Sequence, residues 1–230
     1  MNHSNSPSSD SNLELLLESF RSGLELLVNY AAEEGLRLQP YRDRSLPNFR
    51  NLLPREREEL VQKFETYSSL MKELKSEGAH LFQNLQTVWR ALHRLGLTPP
   101  EDLFAALEEG DIVEIYSLQG RQLFRSLNFF AISTYTLEEL HTLPWYDLWA
   151  RDDARQALAN EVVGKFVAGE IQETARLQFG EHEVSEKRSE LRRTNVCASR
   201  FLSPLRDRSG QMTAFLHAFI VTDSWDQPAS

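Results

Sequence analysis

Few residues in this chain could do chemistry, and they are scattered. There is one cysteine, Cys197, so an intramolecular disulfide is impossible and thiolate zinc sites are excluded. A lone thiol in this setting reads as a small, half-buried strand residue. A redox role needs an exposed, electropositive environment, and the nearness of Arg193 and Arg200 in sequence does not establish one. His141 lies in a short helical segment and reads as an exposed polar residue. His217 alternates with Leu216 and Ala218 and points to one face of a sheet. Neither histidine has a second ligand at a useful spacing, so no metal site is expected. The paired acids Glu138-Glu139 and Asp152-Asp153 read as a helix start and a helix cap rather than an acid–base couple. No Gly-rich phosphate loop, G-x-S-x-G or Ser-His-Asp spacing occurs. The mixed-charge run from Glu186 to Arg193 reads as a solvated hairpin tip. Together these point away from an enzyme.

The elements that position these residues come from an ordinary globular composition. The chain has 230 residues, 41% of them hydrophobic and 26% charged, with 13 Phe, 6 Tyr and 4 Trp. That supports a core and one domain with an added element, or two small domains. A net charge of −9 argues against non-specific binding to nucleic acid or to an anionic membrane surface. No apolar run approaches the roughly 20 residues that span a bilayer. The opening MNHSNSPSSDSN lacks the basic and apolar regions of a signal peptide, so residues 1–11 read as a flexible tail and the chain as cytoplasmic.

Leu13, Leu16, Leu17, Phe20, Leu24, Leu27, Val28 and Ala31 recur at helical spacing, and Gly35 closes that helix. Leu15, Leu26 and Tyr30 widen its apolar face. Residues 36–53 form a connector. A second helical stretch opens at Pro54 with acids in its first turn. Leu60, Phe64, Tyr67, Met71, Leu74, Leu81, Leu85, Val88, Leu92 and Leu95 then continue one heptad-like register. Two readings compete: antiparallel helices broken at Ser76-Glu77-Gly78, or one long helix pairing with a second copy. The unbroken register favours the long helix, hence a homodimer held mainly by this seam, since a monomer would leave the stripe bare; the alternative is that the Leu13–Ala31 helix folds back and covers it within one chain. Gly96 and Pro99-Pro100 end the helical region, 12–96.

From Asp111 the period changes. Ile112–Tyr116 and Arg121–Arg125 read as a hairpin around Gly120. Short helices fill 127–149, and a clear helix runs from Asp153 to about Ala168. Strands are expected at Thr174–Phe179, Ser189–Ser203 and Gln211–Thr222. The last is almost wholly apolar and therefore central.

The stretch Ser126–Asp153 resembles the middle of a PAS domain, a sensory and interaction module. It matches that family's pattern without a gap at Phe129, Ile132, Tyr135, Thr136, Glu138, Glu139, Leu140, Pro144, Trp145, Asp147, Leu148 and Asp153. It departs at Ser126, Thr134, Thr142 and Arg151. Pro204–Gly210 resembles the family's late turn, and Thr222-Asp223 its closing motif. The resemblance covers about 108–224, with 225–230 as a tail. It implies an α+β fold: a five-stranded antiparallel sheet with short helices on one face, preceded by the coiled-coil-like helical region. It also implies an apolar hollow, walled by Ile115, Phe129, Tyr135, Trp145, Phe166, Cys197, Phe201 and His217. The reactive cysteine of flavin-binding members is missing from 142–153, and the histidine of haem-binding members from 153–169. No cofactor is therefore expected. The bulky interior residues favour a protein-interaction scaffold with a separate signalling partner over a small-molecule sensor.

Overall fold

Helices precede Asp111 and strands dominate after it, as the change of period predicts. The computed structural model describes residues 9–79, 84–150, 152–177, 180–187 and 191–228. In order these form α1 (Ser9–Glu33), α2 (Pro47–Arg50), α3 (Pro54–Ser76), α4 (Asn84–Leu95), α5 (Leu103–Ala106), β1 (Ile112–Ser117) and β2 (Gln122–Arg125). Then follow α6 (Leu127–Ala131), α7 (Leu137–Thr142), α8 (Trp145–Leu148), β3 (Trp149–Ala150), α9 (Asp153–Val167), β4 (Ala175–Arg176), β5 (Glu181–Glu186), β6 (Leu191–Arg206) and β7 (Met212–Pro228).

The α+β class and the expected antiparallel sheet with short helices are present, with differences in detail. Among the described residues the sheet has seven strands, not five, in the order β2-β1-β7-β6-β5-β3, with β4 pairing β6. Every pair is antiparallel, and β7 is central between β1 and β6. Residues 225–228, expected as a tail, continue β7 and pair with the start of β6. At the other end, residues 9–11 of the expected tail are already helical. In the turn between β6 and β7, the Asp207 carboxylate accepts from Ser209 N at 2.9 Å and Gln211 N at 3.1 Å, while Gly210 takes φ +83°.

The long helix does not form. α3 stops at Ser76, and Gly78 adopts φ +72°, a left-handed stop that glycine takes without steric cost. The register continued because both helices need an apolar face, not because they are one rod. Leu81 lies outside the described residues. Leu60, Phe64, Tyr67, Met71, Leu74, Val88 and Leu92 are all buried within the single chain, and Leu85 and Leu95 are half-buried. The bare stripe that motivated a coiled-coil dimer is therefore absent at these positions. α1 shows the reverse error: Leu15 and Leu26, expected to widen its packed face, are exposed.

The compact units also differ from the linear division at 96–108. One comprises the residues up to Ser69 with Thr136–Leu143, and the other Leu70–Tyr135 with Pro144 onward. In the first, Phe20 of α1 stacks on Phe49 at 4.4 Å and meets Phe64 edge-on at 5.1 Å. Gly23 permits this approach, because a Cβ there would lie 3.2 Å from the Phe64 ring. α7 completes this unit: Leu137 N donates to Gln39 O at 2.9 Å and Glu138 N to Pro40 O at 3.0 Å. A capping box between Thr136 and Glu139 starts that helix. In the second unit, Glu73 pairs with Arg90 and Arg94, and Arg90 also reaches Glu77, tying the end of α3 to α4. Thr98 adds a bridge to Arg206, with N···O distances of 2.7 and 3.0 Å.

Candidate functional site

Strand alternation sorts the sheet into two faces. Directly paired residues share a face, so Glu114 lies with Arg125 of β2 and His217 of β7, and His217 lies with Leu202 of β6. This face carries the helices. Phe129 of α6 sits with its ring 4.2 Å from the Arg125 guanidinium, and Phe166 of α9 packs with Leu202, Met212 and Phe215. Ile115, Phe124, Leu216 and Ala218 occupy the opposite face, and all are buried.

Across β2, β1 and β7, toward the β2 edge of this face, lies a cluster of charged groups. Glu114 and Arg125 are each 2% exposed. Arg125 Nε donates to Glu114 Oε1 at 3.0 Å, and the Tyr116 hydroxyl donates to the same oxygen at 2.6 Å. His217 Nδ1 lies 3.8 Å from Glu114 Oε2, and its Nε2 is 3.1 Å from Ser199 Oγ. Burial alone would push the Glu114 carboxyl up. The His217 ring and the Arg125 guanidinium, with the Tyr116 hydroxyl, outweigh it and hold the carboxyl at about 2. Burial and the neighbouring Glu114 carboxylate raise the Tyr116 phenol. Burial opposes the Arg125 charge, but Tyr116 and Glu114 outweigh it and raise its pKa. The Arg125 guanidinium is thus held between the Glu114 carboxylate, with which it forms an ion pair, and the Phe129 ring.

Of the expected wall residues, Phe129, Phe166, Cys197 and His217 do come to this face. Cys197 is buried opposite His182 of β5. Ile115 and Phe201 do not. Ile115 follows Glu114 and points the other way. Phe201 pairs with Ala218, because a bulge between Ser199 and Phe201 switches the face. Tyr135 serves as a tie between segments: its hydroxyl donates to Leu148 O at 2.8 Å and accepts from Lys187 N at 2.9 Å. Trp145 is half-buried and meets Tyr146. The tryptophan that packs on Phe129 and Tyr135, at 6.3 and 5.9 Å, is Trp149. His141, expected to be exposed, is half-buried against the Phe64 ring at 4.6 Å, with Lys63 Nζ 3.4 Å from its Nδ1.

The sequence reading did not foresee the burial of three carboxylates. Glu114 sits in a β-rich run that reads as plain strand, and only its cross-strand partners Arg125 and His217 mark it. Glu186, assigned to a solvated tip, is 0% exposed. It accepts from Ser133 Oγ at 3.0 Å, Thr134 N at 2.7 Å and Arg193 N at 2.9 Å, and also from Thr134 Oγ1. Thr134, a departure from the family pattern, is therefore a ligand of this carboxylate. Glu138 is also buried. It accepts from Asn48 N at 2.9 Å and Phe49 N at 3.3 Å, and burial raises its carboxyl against the pull of those two N–H groups. The Asp152 cap is as expected, accepting from Ala154 N.

Among the described residues, no three His, Cys, Asp or Glu side chains assemble as a metal-ligand group, and no helix is long and apolar enough to cross a membrane. No protein-family model matches the chain, and no curated protein matches it. Solved structures similar to it include a domain assigned to a light and redox sensing histidine kinase from Haloarcula marismortui. That likeness has 12% identity and a TM-score of 0.32 over 53% of this chain and 96% of that one. A variant of Vivid has 11% identity and a TM-score of 0.37 over 59% and 92%. A sensory box sensor histidine kinase from Vibrio cholerae has 10% identity and a TM-score of 0.33 over 63% and 99%.

Proposed function

We propose that this chain is a cytoplasmic, non-enzymatic regulatory protein that acts by binding another protein through its PAS-like unit. One observation carries the reading. Arg125 enters the helix-bearing face from the edge strand β2, buried, bonded to Glu114 and covered by Phe129. A charged group already satisfied on both sides leaves a ligand nothing to gain by replacing its partners. Phe166, Phe215 and Leu202 fill the neighbouring part of the same face. Signalling by this unit then depends on its surface. The homodimer expected from the seam is not part of the reading, since the described seam residues are already buried or half-buried.

The absorbance spectrum and native mass of freshly purified protein test this. Protein absorbance alone, with the mass of the bare polypeptide, is the expected result. A chromophore, or an excess mass released on unfolding, overturns it in favour of a small-molecule sensor.

A further inference from the structure

α7 belongs to the helical unit, although the chain enters it from Tyr135 and leaves it at Pro144, both of the other unit. Its first turn is held by several bonds. Leu137 N and Glu138 N donate to the carbonyls of Gln39 and Pro40, the Glu138 carboxylate accepts from Asn48 N and Phe49 N, and Glu139 pairs with Arg42 at 3.3 Å. The last turn has a tie of a different kind. His141 is half-buried, its ring 4.6 Å from that of Phe64, and Lys63 Nζ of α3 lies 3.4 Å from its Nδ1.

That tie works in one protonation state only. An ammonium group has donors and no acceptor, so Lys63 can donate to the ring only while Nδ1 keeps its lone pair, as in the neutral imidazole. A proton on Nδ1 replaces the acceptor with a second donor and sets two positive charges at the same close distance, half-buried and weakly screened. The Phe64 ring supplies no counter-charge. Other charged groups on the elements that meet here have bonds of their own. Glu138 and Glu139 are held as above, Glu59 of α3 pairs with Arg55, Asp43 of the connector accepts from Ser45 N, and Arg50 of α2 reaches Glu14 and Ser45 O.

Histidine changes its charge between roughly pH 5 and 8. We infer that His141 is a proton-operated latch. Neutral, it accepts from Lys63 and closes the last turn of α7 against α3. Protonated, it releases that turn and loosens α7 within the helical unit. The hold is complete while the ring is neutral and is lost as pH falls through the range in which the ring takes its proton. Glu138 acts in the opposite sense, because burial raises its carboxyl and acid favours the buried form. The latch lies in the helical unit and does not depend on what the other unit binds.

The test is amide hydrogen exchange of residues 137–143 in the full-length chain at about pH 7.5 and pH 5.5, on either side of the ordinary histidine value. Each rate is divided by the intrinsic exchange rate at that pH, and the imidazole NMR signals of His141 report its protonation in parallel. Protection of these amides should fall about tenfold on acidification, in step with the imidazole signals. Lys63→Met keeps the apolar stem and removes the charge, and His141→Gln cannot take the proton. Each should leave protection nearly constant between the two conditions, and either variant decides the matter if the other does not fold. Protection that holds or rises on acidification overturns the inference, as does an equal fall in either variant. A fall out of step with the imidazole signals, or one spread evenly over the whole chain, overturns it too. The interaction-module reading is decided separately, by the mass and absorbance measurement.

Discussion

The buried pair Glu114–Arg125 is worth more to the fold as a pair than either residue alone. Removing one partner strands a charge in the interior, at a cost of about 3–5 kcal/mol. Glu114→Leu and Arg125→Met should each destabilise by about that amount. The double variant Glu114→Leu/Arg125→Met should lose much less, because no charge is then stranded. Urea denaturation of the four proteins measures the coupling, and strict additivity would mean that the two residues act separately. Acid dependence follows from the same carboxyl. Its folded value of about 2 lies below the ordinary 4.5, so its contribution is complete above 4.5 and is lost as pH falls towards 2. The loss amounts to about 3 kcal/mol. Glu138 has the opposite sign: burial raises its carboxyl, so its contribution is lost as pH rises through the folded value. Denaturation midpoints from pH 6 to pH 2 should therefore fall less steeply in Glu114→Gln than in the natural chain. An unchanged slope counts against a depressed Glu114.

At the scale of elements, close packing and bulges decide what periodicity cannot. α1 approaches α3 at Gly23, where an added Cβ would lie 3.2 Å from Phe64. Gly23→Leu should cost about 1–3 kcal/mol by overpacking, although leucine is the better helix former. A thermal melt showing stabilisation would mean that the two helices can separate freely there. α9 is anchored chiefly by Phe166, its one buried residue. Phe166→Ala should cost about 3–5 kcal/mol from lost aromatic packing. A small loss measured in urea would instead fit a ligand cavity at that position. Helix starts and turns were legible because their signals are local: Thr136 with Glu139, Asp152 with Ala154, Asp207 with Gly210. The face of Phe201 was not, because one inserted residue in β6 reverses the alternation and puts it on the face opposite Cys197.

On the scale of the whole molecule, the N-terminal helical unit is completed by a segment from the middle of the PAS-like sequence, Thr136–Leu143. A fragment ending at residue 96 lacks that segment. The backbone carbonyls of Gln39 and Pro40 and the N–H groups of Asn48 and Phe49 then lose their partners. Such a fragment should melt broadly, without the cooperative transition of the full chain, by circular dichroism. A sharp transition would show that the helices fold without α7. With the described seam residues buried or half-buried, light scattering at low micromolar concentration should give the mass of a single chain, and a stable dimer would require contacts other than those residues.

By itself the sequence determined the class of the fold, the change from helical to strand period at Asp111, the central place of the last strand and the caps and turns. Each rests on a local preference or a short periodicity that the chain carries wherever it is placed. Only the tertiary structure decided which apolar stripe is covered within the chain, where the helical register breaks, and which charged side chains go inside. Glu114 and Arg125, separated in sequence by a turn, become a buried pair through strand register. Glu186 is buried because Ser133, Thr134 and Arg193 converge on it from distant segments. Burying a carboxylate is favourable only when its partners arrive together, and that convergence is a property of the folded chain, not of any stretch within it.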